Sequence, residues 1–349
     1  MNSSAATLPG VANPASPGLW ALAWRRLSRD RVGLASLAVV LAGLALMAAS
    51  ATGLVASDWS RDVGLSYAPP SFAGADTAAP ATTAPASVDN ASPPEDSAIT
   101  DPLAETLAEI RRELTQGGAG EARAATLPFG GDKWGRDVLK KAIKGTETSV
   151  FVGLVAAALA VFLGAFFGAQ AGYYGGRTDD FFNWLYSVFT SIPYLLLVLA
   201  IAAVLDQKGT LTVILILGLT GWTGPFRLVR AEYMRHRVRE YVLAADAIGA
   251  SHVQRMYSHI FPNVSHVVLV QLSLHVVLFI KSEVILSFLG FGVGVDTVSW
   301  GSMLNEAQSE LLLGKWWQLA AATVAMAVLV TAFSLFTDAL RDALDPRLK

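Results

Sequence analysis

Six apolar runs punctuate the chain, at about 32–55, 150–171, 181–205, 211–229, 264–283 and 317–336. A helix needs about 20 mostly apolar residues to cross the hydrocarbon core of a bilayer, and these runs match that length. The fourth is the weakest, because Gly221, Gly224 and Pro225 interrupt it. Such breaks are tolerated where neighbouring helices or a cavity satisfy the freed backbone groups. The pattern predicts an all-α integral membrane protein with six transmembrane helices. Its parts are an N-terminal segment (1–31), a first transmembrane helix (32–56), a long loop (57–146), a transmembrane domain (147–338) that holds a polar loop at 230–263, and a C-terminal tail (339–349).

Composition supports that class. Of 349 residues, 53% are apolar and only 15% charged, a membrane profile rather than a soluble one. The formal net charge of -2 implies no bulk electrostatic partner and argues against nucleic acid. The chain has no cysteine, which excludes disulfides, thiolate metal sites and thiol catalysis.

Charge placement orients the spans. Arg25, Arg26, Arg29 and Arg31 precede the first run and predict a cytoplasmic N-terminus. Alternation then puts the 175–180 turn, the 230–263 loop and the C-terminus inside. Arg227, Arg230, Arg235, Arg237, Arg239, Arg255, Arg341, Arg347 and Lys349 all fall there. Ala49-Ser50-Ala51 resembles a signal-peptide cleavage site, but the apolar run is long and further spans follow, so the first run is read as a retained helix.

The outside loop has three parts. Residues 68–94 are rich in Ala, Pro, Thr and Ser and read as a flexible spacer. Residues 101–116 read as an amphipathic helix. Asp101 is its N-cap, Pro102 its first position, and Leu103, Leu107, Ile110 and Leu114 form one stripe. Phe129-Gly130-Gly131-Asp132-Lys133-Trp134-Gly135-Arg136-Asp137-Val138 reads as a turn in which Asp132 and Asp137 cap local backbone.

The polar loop between the fourth and fifth runs organises the rest. Glu240-Tyr241-Val242-Leu243-Ala244-Ala245-Asp246-Ala247-Ile248-Gly249-Ala250-Ser251 is followed by His259-Ile260-Phe261-Pro262-Asn263. The pattern predicts a helix, a tight turn, a second helix and a stop. Small residues at Ala244, Ala245 and Ala247 allow a close approach of another surface. Gly249 can take a left-handed conformation and end the first helix. Pro262 is expected to end the second helix and to push Phe261 out of the helical region. Spacing alone leaves open a plain cytoplasmic connector.

Catalytic chemistry is missing. No Gly-x-x-x-x-Gly-Lys-Ser/Thr loop, no His-Glu-x-x-His and no nucleophile elbow occur. The expectation is a chain with no catalytic residue, no metal ligand and no bound cofactor. Ionisable and polar residues within spans are functional candidates by default. Gln271 and His275 share one face of the fifth run, suited to a wet pathway or a helix–helix hydrogen bond. Lys281 and Glu283 lie at its outer end. They either reach for the interface or line the outer mouth of a pathway. A stand-alone secondary transporter using His275, Lys281 and Glu283 as an ion relay is the alternative, but no internal repeat supports it.

The 240–263 stretch resembles the "EAA" loop of permease subunits in bacterial ABC importers, most narrowly the dipeptide, oligopeptide and nickel group. Gly172-Tyr173-Tyr174-Gly175-Gly176-Arg177-Thr178-Asp179, the run from Gly221 to Glu232, Ser287-Phe288-Leu289-Gly290-Phe291-Gly292, Ser299-Trp300-Gly301-Ser302-Met303 and the 341–348 tail are also similar to that family, in the same order. The resemblance implies the type I importer permease fold, here with a long periplasmic insertion after the first helix, in the bacterial inner membrane. It implies half of a translocation pathway for peptides, or alternatively for nickel or another small solute. It also implies partners: a second permease, two ATPase subunits that bind and hydrolyse ATP, and a periplasmic solute-binding protein. Glu240, Tyr241, Ala244, Ala245, Gly249, His259, Pro262 and Asn263 would form the ATPase-coupling loop. Leu243 stands where the family's acidic residue usually precedes Ala-Ala, and Gly131 replaces its usual Thr.

Overall fold

The computed structural model describes residues 19–74, 106, 123–294 and 296–344. Among them the chain is helical, with no strand and only isolated bridges. A short helix α1 (Leu19–Leu27) leads into α2 (Arg31–Ala51), which Asp30 caps by accepting from the Val32 amide at 2.9 Å. The remaining helices are α3 (Val138–Tyr174), α4 (Gly176–Thr190), α5 (Tyr194–Leu205), α6 (Thr210–Thr220), α7 (Thr223–His236), α8 (Glu240–Ala247), α9 (His252–Phe288), α10 (Trp300–Leu312) and α11 (Trp317–Leu344).

Among the described residues, five helical stretches are long and apolar enough to cross a membrane: α2, α3, α6 with α7, α9 and α11. The third apolar run is not a straight span. It forms α4 and α5, bent by 81°. Pro193 is the cause: it donates no hydrogen bond and holds Ile192 away from helical geometry, so the chain must turn. Counted as one span, the pair would make six. The fourth run breaks where Gly221 and its neighbours suggested, and α7 continues well past residue 229 to His236.

Two other expectations are corrected. Residues 138–146, assigned to the loop, are the first turns of α3, which has 37 residues. At 1.5 Å per residue it is roughly 55 Å long, far more than a bilayer core needs. Its N-cap is Asp137, which accepts from the Leu139 amide at 2.8 Å and the Lys140 amide at 3.3 Å. Residues 68–74, assigned to the spacer, are held in place: Ala68 is buried, and the Gly131 amide donates to its carbonyl at 2.7 Å. Backbone bridges pair Gly64 with Ala124 and Pro70 with Leu127, so the two ends of the long loop run side by side. The rest of the spacer, and the amphipathic helix expected at 101–116 apart from a helical Thr106, lie outside the described residues.

The core is organised by α3. Gly164, Gly168 and Gly172 repeat every fourth residue and so line one face. A methyl group added at each would lie 2.5 Å from the Trp222 carbonyl oxygen, 2.7 Å from that of Phe226 and 2.5 Å from that of Arg230. Those contacts also repeat every fourth residue, along α7. Two backbones therefore meet directly, which only small residues allow. Trp222 and Phe226 fill the flank, with Phe167 edge-on to Trp222 at 5.3 Å. Near the N-terminal end of α3, Trp300 is fully buried and donates its ring N–H to the Ala142 carbonyl at 3.2 Å.

Gly168→Leu should lower the melting temperature of the detergent-solubilised protein by several degrees, because overpacking costs about 1–3 kcal/mol and here the obstacle is backbone. Gly294→Ala, where an added methyl meets nothing within 4 Å, is the control and should leave it unchanged. Equal melting curves for the two variants would contradict the close-packed seam.

Candidate functional site

The polar loop folds as a helical hairpin at one end of the bundle. Glu240–Ala247 forms α8, and Gly249 ends it at φ +88°. The Gly249 amide donates to the Asp246 carbonyl at 2.9 Å and the Ala250 amide to that of Ala245 at 3.0 Å. This double bond pattern is the Schellman ending that glycine favours. Ser251 then caps the next helix, its hydroxyl accepting from the Gln254 amide at 3.2 Å. The expected helix, glycine turn and second helix are all present.

The expected stop is not. The helix that starts at His252 runs through Pro262 to Phe288, and Phe261 sits in the helical region at φ -53°, ψ -43°. Residues Arg255–Ile260 form a π-helix, and the Phe261 amide donates five residues back, to Met256. The wider π turn shifts the hydrogen-bond register just before Pro262. The proline's missing donor then falls in the first turn of the α-helical part, where it is tolerated. Asn263 donates to the His259 carbonyl at 2.8 Å across that junction.

One face of α8 is buried and the other is bare. Val242 packs with Val229, Tyr233, Met256, Ile260 and Val264, and Ala245 is buried on the same face. Glu240, Tyr241, Leu243, Ala244 and Ile248 are exposed, Ile248 at 85%. Leu243 on the helix and Ile248 at its C-cap are thus apolar side chains left open for contact. Tyr241 is anchored at its hydroxyl, 2.8 Å from His236 Nδ1 and 3.4 Å from Asn263 Nδ2.

Polar contacts fasten this hairpin to its neighbours. Arg255 Nη1 meets Asp246 Oδ1 at 2.6 Å, across the glycine turn. His252 Nδ1 lies 3.1 Å from the Tyr173 hydroxyl and 3.0 Å from Arg255 Nη2. Tyr233 donates to the Met256 carbonyl at 3.2 Å. Arg237 reaches the Tyr173 carbonyl at 3.3 Å. Arg230 grips Asp179 with two bonds, Nε to Oδ1 at 2.5 Å and Nη2 to Oδ2 at 2.7 Å. A groove of about 330 Å³ runs between the 173–174 turn and the hairpin, lined by Leu243, Asp246, His252 and Arg255 among others.

The four pathway candidates do not come together. Gln271 and His275 are buried, and His275 Nδ1 bonds the Gln271 carbonyl at 2.8 Å. The other edge of the ring faces Gly224, where an added methyl would lie 3.5 Å from Nε2. His275 thus packs at the break between α6 and α7, while its hydrogen bond to Gln271 stays within α9. Eight residues on, or roughly 12 Å along the axis, Glu283 is 0% exposed. Its Oε1 accepts from the Ser287 hydroxyl at 2.7 Å, and the Ser149 and Ser299 hydroxyls face it. Neither interface-seeking nor mouth-lining describes Glu283. Lys281 is exposed on the opposite side of the helix.

Asp179, Arg230, Asp246 and Arg255 were not singled out from sequence. Asp179 and Arg230 stand inside quoted motifs, but their partnership spans 51 residues and leaves no local pattern.

Residues 150–349 match the family described as binding-protein-dependent transport system inner membrane component, and residues 18–70 match the N-terminal TM domain of oligopeptide transport permease C. The chain is 35% identical over 252 residues to a dipeptide transport system permease protein of Bacillus subtilis (strain 168), covering 72% of this chain and 78% of that protein. It is 35% identical over 221 residues to an oligopeptide transport system permease protein of the same organism, covering 63% and 72%. An oligopeptide transport system permease protein of Mycobacterium tuberculosis (strain ATCC 25618 / H37Rv) is 31% identical over 219 residues, covering 62% and 75%.

A double-mutant cycle of Asp179→Ala and Arg230→Met should return a coupling of about 1–3 kcal/mol in detergent unfolding, as a two-pronged, partly buried pair warrants. A coupling near zero would show that the pair does not hold the turn to α7.

Proposed function

The chain belongs to the family of binding-protein-dependent transport system inner membrane components, and on that premise we propose that it is a permease subunit of a peptide ABC importer. The observation that carries this reading is α8: a short helix held rigidly from behind, with its other face apolar and bare. Its dipeptide and oligopeptide permease relatives support peptides as the cargo. The subunit would supply half of the pathway, with a second permease supplying the other half.

In this reading α4 and α5 together form one of six spans, and the loop at 57–146 lies outside as a periplasmic insertion. Both termini and the 230–263 loop lie in the cytoplasm. Glu240, Tyr241, Ala244, Ala245, Gly249, His259, Pro262 and Asn263 belong to the coupling loop. Tyr241, Leu243 and Ile248 would meet an ATPase subunit. Leu243 makes this contact more apolar than an acidic residue would. Two such ATPases bind and hydrolyse ATP, and a solute-binding protein delivers peptide from outside. The chain itself performs no chemistry.

Force applied to α8 would pass through Val242, Ala245 and the Asp246–Arg255 pair into α9, and through Tyr233 into α7. The body would then move as a unit between outward and inward access, a coupling between two sites through a bistable arrangement. His275 fills the break between α6 and α7 and would hold them together during that motion. Gln271 supports His275. Lys281 faces lipid or a partner rather than peptide.

Purification of a tagged chain in mild detergent should bring down two ATPase subunits and a second permease. A homo-oligomer without an ATPase, found repeatedly, would sink the proposal. Gly249→Val should leave membrane insertion and ATP hydrolysis intact and cut peptide uptake at least tenfold. A β-branched residue is strained by about 1–3 kcal/mol at this backbone angle, and an added methyl meets nothing within 4 Å, so only the turn is disturbed. Uptake at the normal rate would remove Gly249 from the coupling device.

A further inference from the structure

A buried charge cluster lies at the opposite end of α3 from the coupling loop, and transport coupling leaves it unused. Lys141 is 2% exposed. Its Nζ donates to Asp132 Oδ2 at 2.7 Å and Glu306 Oε2 at 2.6 Å, and reaches Gln318 Oε1 at 3.5 Å. An ammonium has three protons, so all are engaged. Asp132 turns its other oxygen to the Trp134 and Arg136 amides at 2.9 and 3.0 Å. Gln318 donates to the Met303 carbonyl at 3.2 Å and to Glu306 Oε2 at 3.1 Å. Four elements, namely the 132–136 turn, α3, α10 and α11, are knotted here.

Glu310 lies in this knot without a place in it. It is 1% exposed, one helical turn from Glu306 on α10, and neither of its carboxyl oxygens has a hydrogen-bond partner. The groups facing it are Lys141, Glu306, Asp132 and the Lys133 backbone. Other charges nearby point elsewhere: Lys140 pairs with Asp58 at 2.7 Å, Lys144 with Glu147 at 2.7 Å, and the Lys133 and Lys315 ammoniums sit over the Trp134 and Trp317 rings. Ionised, Glu310 would be a third carboxylate against one ammonium that has no proton to spare. Burying such a charge is costly, and the group neutralises instead.

We propose that Glu310 is a proton-binding site that locks α10 onto the outer ends of α3 and α11, closed with the proton on and loosened when it leaves. The helix ends in the exposed tip Leu311-Leu312-Leu313, so the proton sets how firmly that tip is held. Burial pushes the Glu310 carboxyl up to about 7; Lys141 opposes the rise, and Glu306 and Asp132 add to it. The sign follows. The native state holds this proton more tightly than the unfolded chain does. The stabilisation is full below the ordinary carboxylate value and is lost as pH rises through about 7.

The test reads the chain alone, in lipid nanodiscs, and so succeeds or fails apart from the transport reading. Hydrogen exchange of 306–314 is followed from about pH 5.5 to about pH 8.5, corrected for the intrinsic rate. Protection in the natural chain should fall about tenfold per pH unit above the midpoint. Glu310→Gln, a permanent stand-in for the protonated form, should hold protection level. A level profile in the natural chain, or the same slope in both, overturns the proposal. Should Glu310→Gln not fold, infrared titration of the natural chain decides. A protonated-carboxyl band should bleach with a midpoint near 7, and Glu306→Gln should move that midpoint down. No such band, or an unmoved midpoint, overturns it, since the proton would then belong to another carboxyl.

Discussion

The direct contact of two backbones along Gly164, Gly168 and Gly172 is the constraint on which the rest of the structure depends. Within a bilayer, lipid tails are as apolar as any side chain, so burial alone does not hold helices together. Close approach does, because it multiplies dispersion contacts and aligns carbonyls with small residues. Once α3 and α7 are fixed against each other, the end of α7 is fixed too. Arg230 then finds Asp179, Arg237 finds the Tyr173 carbonyl, and Tyr233 finds Met256. The polar fastenings of the helical hairpin are consequences of an apolar seam.

That ordering explains how a helix of eight residues is held in place. An isolated helix of that length is not stable in water. Here α8 has Val242 seated among residues of α7 and α9, Ala245 is buried, and its ending is closed by Gly249. The π stretch Arg255–Ile260 lies directly behind it and turns α9 into the register that Pro262 needs. Such stretches are uncommon and cluster at functional sites. Its position between the bare helix and the long span suits a junction that must be stiff yet sharply aimed.

Much of this was legible in the residues. Apolar run length placed every long helix, Gly249 marked the turn, and Asp132 and Asp137 cap backbone as their spacing implied. What stayed hidden has physical causes. The continuation through Pro262 depends on a register shift that no local propensity encodes. The 81° bend at Pro193 was masked by apolar residues on both sides, since hydropathy counts composition and not direction. Lys141 fell inside the stretch assigned to the loop and carried no signal of its own. Its partners Glu306 and Gln318 are 165 and 177 residues away, and only the packed fold brings them within reach. Long-range ion pairs have no sequence period, whereas glycine stripes and turn residues do.

α3 gives these observations their common geometry. Its C-terminal half bears the glycine stripe that meets α7, and its N-terminal end bears Lys141 and the Trp300 contact. A helix resists bending, and this one has no proline along its length. A change in how its N-terminal turns are held therefore tilts the whole rod rather than being absorbed midway. Glycines that allow close approach also make the seam intolerant of sliding, because each one faces a carbonyl across a gap with no room for a methyl group. Rigid-body motion is then the mode left open to the bundle. The soft points are the breaks already visible, at Gly221 between α6 and α7 and at Pro193 between α4 and α5. His275 and Phe279 pack into the first of these, while α4 has no buried residue beyond the second. The bundle thus hinges most easily where α4 and α5 meet.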